Sequence, residues 1–154
     1  MTRRTSKAGE ELIKLFEGFK NKVYKCPAGL NTIGYGHVIV GEASLNRFLK
    51  TGITEEEATC LLRGDISIAE EAVERLITTQ LNQNQFDAMV SLIFNIGATK
   101  FRGSKGHKAL NLNGFELAKI EMFDKDKGWV RANGKILKGL VNRRQAELKL
   151  FNAN

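Results

Sequence analysis

The sequence predicts an α+β fold, with a small sheet-bearing lobe near the N-terminus and a larger all-helical lobe built from the rest of the chain. Three observations carry that prediction. Residues 19 to 40 concentrate β-branched and aromatic side chains (Val23, Tyr24, Thr32, Ile33, Tyr35, Val38, Ile39, Val40) between the turn formers Pro27, Gly29, Gly34, Gly36 and Gly41. On either side of that stretch apolar residues recur at three- and four-residue steps, the helical period. A chain of 154 residues, 42% apolar and 27% charged, is one folding unit of ordinary globular composition, long enough to bury a core without disulfide or metal staples.

Each element can be argued from its residues. Ser6 is an N-cap for a helix over 6–17, with Gly9, Leu12, Ile13 and Phe16 on one face and Gly18 as its stop. The stretch 19–40 reads as a hairpin-rich sheet. Within it the run Thr32-Ile33-Gly34-Tyr35-Gly36-His37 reads as a strand whose alternation puts Thr32, Gly34 and Gly36 on one face and Ile33, Tyr35 and His37 on the other. Two glycines beside the Thr32 hydroxyl leave room for a bulky ligand. Thr54 to Glu57 is a capping box that opens a long amphipathic helix over about 54–77, with Ala58, Leu61, Leu62, Ile66, Ala69, Val73, Leu76 and Ile77 at helical spacing. Such a helix connects an N-terminal lobe of about 1–53 to a helical lobe of about 78–154 that also takes in the N-terminal helix, leaving a cleft between them. Asn82 to Gln85 starts a helix that is apolar around much of its circumference, through Phe86, Met89, Val90, Ile93 and Phe94 to Gly97, and so belongs at the centre of the helical lobe. Shorter helices are expected at 105–111 and 115–123, and a final one at about 139–151.

Charge and cysteines narrow the classes of function. The formal net charge is +7, from 24 Lys and Arg against 17 Asp and Glu, which suits a polyanionic partner such as nucleic acid, anionic lipid or an acidic cell wall. Residues 55 to 74 carry seven acids and one base, whereas 124 to 149 carry eight bases and three acids. No run approaches the roughly 20 apolar residues of a membrane span, and the basic start lacks the apolar core of a secretory signal, so the expected site of synthesis and residence is the cytoplasm. Cys26 and Cys60 cannot form a disulfide framework; Cys60 reads as a small buried hydrophobe on its helix. No metal-ligand spacing and no phosphate-binding glycine loop is present, so no cofactor is expected.

The chemistry concentrates early in the chain. Glu17 ends its helix, where the macrodipole disfavours a carboxylate, and Phe16 and Phe19 flank it, so the protonated form that a general acid needs is favoured. A lone glutamate there would be an ordinary solvated helix end, but Glu17 has companions. Cys26 comes nine residues later and Thr32 six beyond that, inside the Gly-rich turn and strand. A proton donor beside groups able to position water is the equipment of a glycosidase. His37, facing away from Thr32, reads as structural.

The stretch from Glu17 to His37 resembles the catalytic region of bacteriophage-type lysozymes, or endolysins: Glu, eight residues, Asp or Cys, five residues, then a Thr that opens Thr-Ile-Gly-Tyr-Gly-His. Phe94-Asn95-Ile96-Gly97 is similar to the end of that family's central helix, and Trp129 with Gly134 to Glu147 resembles its C-terminal signature. The resemblance implies a lysozyme-like fold and cleavage of the β-1,4 bond between N-acetylmuramic acid and N-acetylglucosamine in peptidoglycan. Glu17 would be the proton donor, Cys26 and Thr32 the water-positioning groups, Phe94 and Asn95 substrate-binding residues, and Arg143 a support for the acid. Cys26 stands where Asp is commoner. It can guide water, giving inversion, or form a thioglycosyl intermediate, giving retention. Inversion is expected, because an acidic thiol calls for a cationic neighbour that the sequence does not identify. The resemblance further implies a monomer held in the host cytoplasm and released to the wall by a holin, with no membrane insertion of its own and no nucleic-acid partner. Two alternatives stand beside it: a chitinase-like amino-sugar hydrolase, and a non-enzymatic basic protein binding wall polymer or nucleic acid.

Overall fold

The computed structural model describes residues 2–154. They run α1 (Lys7–Glu17), β1 (Lys20–Lys25), β2 (Asn31–Gly34), β3 (His37–Val38), α2 (Glu42–Thr51), α3 (Glu55–Leu76), α4 (Gln83–Ile96), α5 (Ala98–Phe101), α6 (Lys105–Asn111), α7 (Phe115–Phe123), β4 (Arg131–Ala132), β5 (Lys135–Ile136) and α8 (Lys138–Phe151). The fold is α+β, as the sequence predicts. The chain divides into two compact units, Ile13–Ser67 and Met1–Leu12 with Ile68–Asn154, the divisions falling inside α1 and α3. Among the described residues no helix is long and apolar enough to cross a membrane.

In the 13–67 unit, β1, β2 and β3 form an antiparallel sheet in sequence order. Tyr24 pairs with Thr32 and Lys25 with Asn31, while Thr32 pairs with Val38 and Ile33 with His37. The run Thr32 to His37 is therefore not the single strand the alternation suggests. Gly34 and Gly36 adopt φ of 67° and 77°, a left-handed backbone that folds the chain back on itself and brings His37 opposite Ile33. Glycine meets a second demand at position 34, where a Cβ would stand 3.0 Å from that of Ala58. Ile33, Tyr35, Ile53, Ala58, Leu62 and Ile66 are buried in this unit. Polar contacts tie the hairpin to the first half of α3: the Tyr35 hydroxyl donates to Glu55 Oε1 at 2.8 Å, and His37 Nδ1 lies 2.8 Å from Asp65 Oδ2. His37 is thus structural here. The Thr54 cap forms, its hydroxyl accepting from Glu57 N at 3.2 Å.

Two further outcomes correct the sequence reading. Cys60 is exposed, not buried. The buried face of α3 carries Ala58, Leu62, Ile66, Ala69 and Val73. Cys60 lies two residues from Ala58 and from Leu62, about 200° around the helix from each, which turns it to solvent. The helix α2 was not expected, because Phe48 is its only buried residue and Leu49 is exposed, so its sequence lacks a legible apolar stripe.

In the other unit, α4 begins at a full capping box between Asn82 and Gln85 and buries every residue from Phe86 to Ile93. Ser6 caps α1, its hydroxyl accepting from Gly9 N at 3.4 Å. The chain start is held by buried acids. Ser6 N donates to Asp87 Oδ1 at 3.0 Å, the Ser6 hydroxyl donates to Asp87 Oδ2, and Thr5 N donates to Glu70 Oε1 at 2.7 Å. A Cβ at Gly9 would meet the Asp87 side chain at 2.8 Å, so this approach requires glycine. The helices α6 and α7 span 105–111 and 115–123, as expected. The β4–β5 hairpin was not expected, although Asn133 and Gly134, with φ of 52° and 78°, form the two-residue turn that Asn-Gly favours.

Candidate active site

Glu17, Cys26 and Thr32 all belong to the 13–67 unit. Glu17 is the last residue of α1, which Gly18 ends with φ of 72° and a hydrogen bond from its N–H to Lys14 O at 2.9 Å. The carboxylate is half-buried and points toward the hairpin tip. A Cβ built on Gly36 would lie 3.0 Å from Glu17 Oε1, so the absent side chain at 36 makes space for the carboxylate.

Cys26 leaves β1 and opens a tight turn in which Gly29 N donates to Cys26 O at 2.8 Å and Cys26 N donates to Leu30 O at 3.0 Å. That turn supplies what the sequence could not. The Cys26 thiol is held below its ordinary range by hydrogen bonding from the backbone at Leu30 first, against some desolvation, with help from the backbone at Ala28. Hydrogen-bond donors stabilise a thiolate as a cation would, so the thiol is acidified without a charged neighbour, and the premise from which the sequence argued for inversion falls. Thr32 is buried on β2, and its hydroxyl donates to Leu30 O at 2.9 Å.

Tyr24 joins these groups, and sequence reasoning had given it only a place in a strand. It stands across the sheet from Thr32. Burial raises its phenol above the usual value, and the charges of Glu17 and Cys26 raise it further. Behind them, Lys14 Nζ lies 3.4 Å from Glu55 Oε1 and 5.4 Å from the centre of the Tyr35 ring, whose face also meets Phe19 at 5.5 Å between centroids. The Tyr35 hydroxyl, then Lys14, hold Glu55 below the usual carboxylate range.

Phe94, Asn95 and Arg143 belong to the other unit. Phe94 and Asn95 occupy the last turn of α4 before Gly97, whose φ of 89° ends the helix; Phe94 is half-buried and Asn95 exposed. Arg143 is buried on α8, with Nη2 donating to Ser91 O at 3.5 Å and Nε 4.0 Å from Glu147 Oε2.

The family model for phage lysozyme matches residues 14–147, a span that contains every one of these residues. The chain belongs to the phage lysozyme family. Its relatives agree. It is 40% identical over 146 residues to an endolysin of Acyrthosiphon pisum secondary endosymbiont phage 1, covering 95% of this chain and 96% of that one. It is 39% identical to an endolysin of Bacillus phage PZA over 96% of this chain, but spans only 55% of that longer protein. Among solved structures it is similar to the muramidase domain of SpmX from Asticaccaulis excentricus, with a TM-score of 0.84 and 37% identity, covering 99% of this chain and 100% of the domain. The fold is lysozyme-like, and this family member is a glycoside hydrolase.

Within the family's C-terminal signature, Arg144 and Glu147 form a second feature that the sequence did not reveal. Both are wholly buried. Burial pushes the Glu147 carboxyl up, against the pull of Arg144 and Arg143. The only signal in the sequence is the i, i+3 spacing of Arg144 and Glu147, which surface ion pairs share.

Proposed function

We propose that this phage lysozyme hydrolyses the β-1,4 bond between N-acetylmuramic acid and N-acetylglucosamine in bacterial peptidoglycan, with Glu17 as the acid that protonates the leaving oxygen. The observation that carries the reading is the turn after β1, where one carbonyl, Leu30 O, accepts from both the Thr32 hydroxyl at 2.9 Å and Cys26 N at 3.0 Å. In this reading Glu17 is the donor, the Thr32 hydroxyl binds the water and Cys26 supplies the acidified thiol. The Thr32 hydroxyl gives its proton to Leu30 O, which leaves its lone pairs to accept one proton of a water molecule. Cys26, as thiolate, accepts the other. A water held by both of its protons turns a lone pair outward, toward an anomeric carbon, and direct attack there inverts the configuration. Cys26 is then the base and Thr32 the guide.

Phe94 and Asn95 bind the glycan in this reading, and Arg143 supports the acid. The relatives named as endolysins support lysis of the host cell as the biological role. The enzyme acts as a monomer, is made in the host cytoplasm, and reaches the wall after a holin opens the membrane. Two measurements test the reading together. Turbidity loss of outer-membrane-permeabilised cells is expected for the native chain and not for Glu17→Gln. Reducing ends should be released from purified peptidoglycan faster than from chitin, and the reverse order would replace the proposed substrate with chitin.

A further inference from the structure

Arg144 and Glu147 sit one turn of α8 apart, wholly buried. Taking both partners of an ion pair out of water costs desolvation that their attraction often fails to repay, and apolar side chains of similar volume are commonly as stable or more so. A buried pair of this kind is weak evidence of a stabilising role. What the guanidinium holds gives a better account. Nη1 donates to Trp129 O at 3.1 Å, and Nη2 donates to Glu147 Oε2 at 3.2 Å and to Asn95 Oδ1 at 2.9 Å. Nε also lies 2.5 Å from Glu147 Oε1, an ion pair that together with the Nη2 bond to Oε2 anchors the fork beside α4. Of the side chains Arg144 touches, Asn95 is the exposed one.

A guanidinium has donors and no acceptor, so the oxygen of the Asn95 carboxamide must face it and the NH2 group must face outward. From this we infer that Arg144 is a positioning residue, fixing Asn95 as a hydrogen-bond donor toward the substrate and making that position selective for an amide carbonyl oxygen. The inference rests on Asn95 being a substrate-binding residue, as proposed above, and adds the polarity of the contact and the residue that sets it. Amide carbonyls reach a peptidoglycan lysozyme from two sources, the acetamido groups of the sugars and the stem peptides.

The test uses KM and kcat on peptide-free oligosaccharides of alternating N-acetylglucosamine and N-acetylmuramic acid, and on intact peptidoglycan. Asn95→Asp keeps the shape and turns the donor into an acceptor. Its KM should rise about three- to tenfold, the worth of one hydrogen bond, with kcat little changed. Arg144→Met with Glu147→Met removes the pair without leaving an orphan charge, and should raise KM by a similar factor, with no further rise when Asn95→Ala is added. Arg144→Lys keeps a charge for Glu147 but loses the fork, and gives the same comparison should the double variant not fold. A KM increase on the peptide-free oligosaccharides assigns the contact to acetamido groups, and one confined to peptidoglycan assigns it to the stem peptide. Unchanged KM in the folded Arg144 variants, or effects that add to those of Asn95→Ala, overturns the positioning role and leaves Asn95 in the site. Unchanged KM in Asn95→Ala instead removes Asn95 from substrate binding, and the inference with it.

Discussion

Tyr24 faces Thr32 across the β1–β2 ladder, and its phenol is held above its ordinary range by burial first and then by Glu17 and Cys26. Because burial and those two charges raise its pKa, the phenol stays protonated throughout the neutral and mildly alkaline range. An alkaline limb in the activity profile therefore cannot belong to Tyr24. Tyr24→Phe should leave the shape of kcat/KM against pH unchanged; a limb that disappears in the variant would assign it to the phenol.

Glu17→Gln preserves size and hydrogen bonding but removes the transferable proton. General acid catalysis is worth about 10² to 10⁴ in rate, and cleavage should fall by that factor while the melting temperature holds. A loss below tenfold in a folded protein would take the role away from Glu17.

Cys26 offers a titration that can be followed without substrate. Its thiol is held low by backbone hydrogen bonds, so in a Cys60→Ala background the rate of alkylation should rise through an inflection below that of an ordinary thiol. In the native chain the exposed Cys60 will react as well, and only the reaction at Cys26 should abolish activity. Cys26→Asp should remain active and resist alkylating agents, while Cys26→Ala should lose most activity. Direct attack by water predicts an α anomer as the first product; a β anomer seen by NMR would mean a covalent thiol intermediate.

Gly36 carries two constraints at once. Alanine there meets a left-handed φ of 77° and places its Cβ 3.0 Å from Glu17 Oε1. The backbone alone should cost about 1–2 kcal/mol. Activity should fall further than the small loss of stability explains, because the carboxylate must move; an active, merely less stable Gly36→Ala variant would show that the carboxylate does not depend on this space.

How much of this was legible in the sequence depends on what kind of signal each feature leaves. Helices with a wide apolar face and a cap, such as α4 behind Asn82, announce themselves, because burial and capping act on residues close together in the chain. The helix α2 buries only Phe48 and announces nothing. The β-alternation from Thr32 to His37 was a true pattern wrongly extended, since Ile33 and His37 share a face as partners across a turn and not as neighbours along one strand. The candidate acid, thiol and hydroxyl could be named from their spacing together with the family resemblance that the spacing carries. The acidity of Cys26 could not, because it arises from N–H groups that every sequence has and only a particular turn aims. Tyr24 and Arg144 escaped for a similar reason: each acquires its part from a partner brought to it by the fold.

The division of the chain also bears on its synthesis. Ile13–Ser67 is one unbroken stretch, whereas the other unit needs both the first residues and the last. On the ribosome the first unit is complete long before the second can close, and the N-terminal segment must wait for partners such as Asp87 that lie 81 residues further on from Ser6. Loop closure over such separations slows folding. The sheet-bearing unit should therefore gain protease resistance on the nascent chain first, and the helical unit only once α8 has left the exit tunnel.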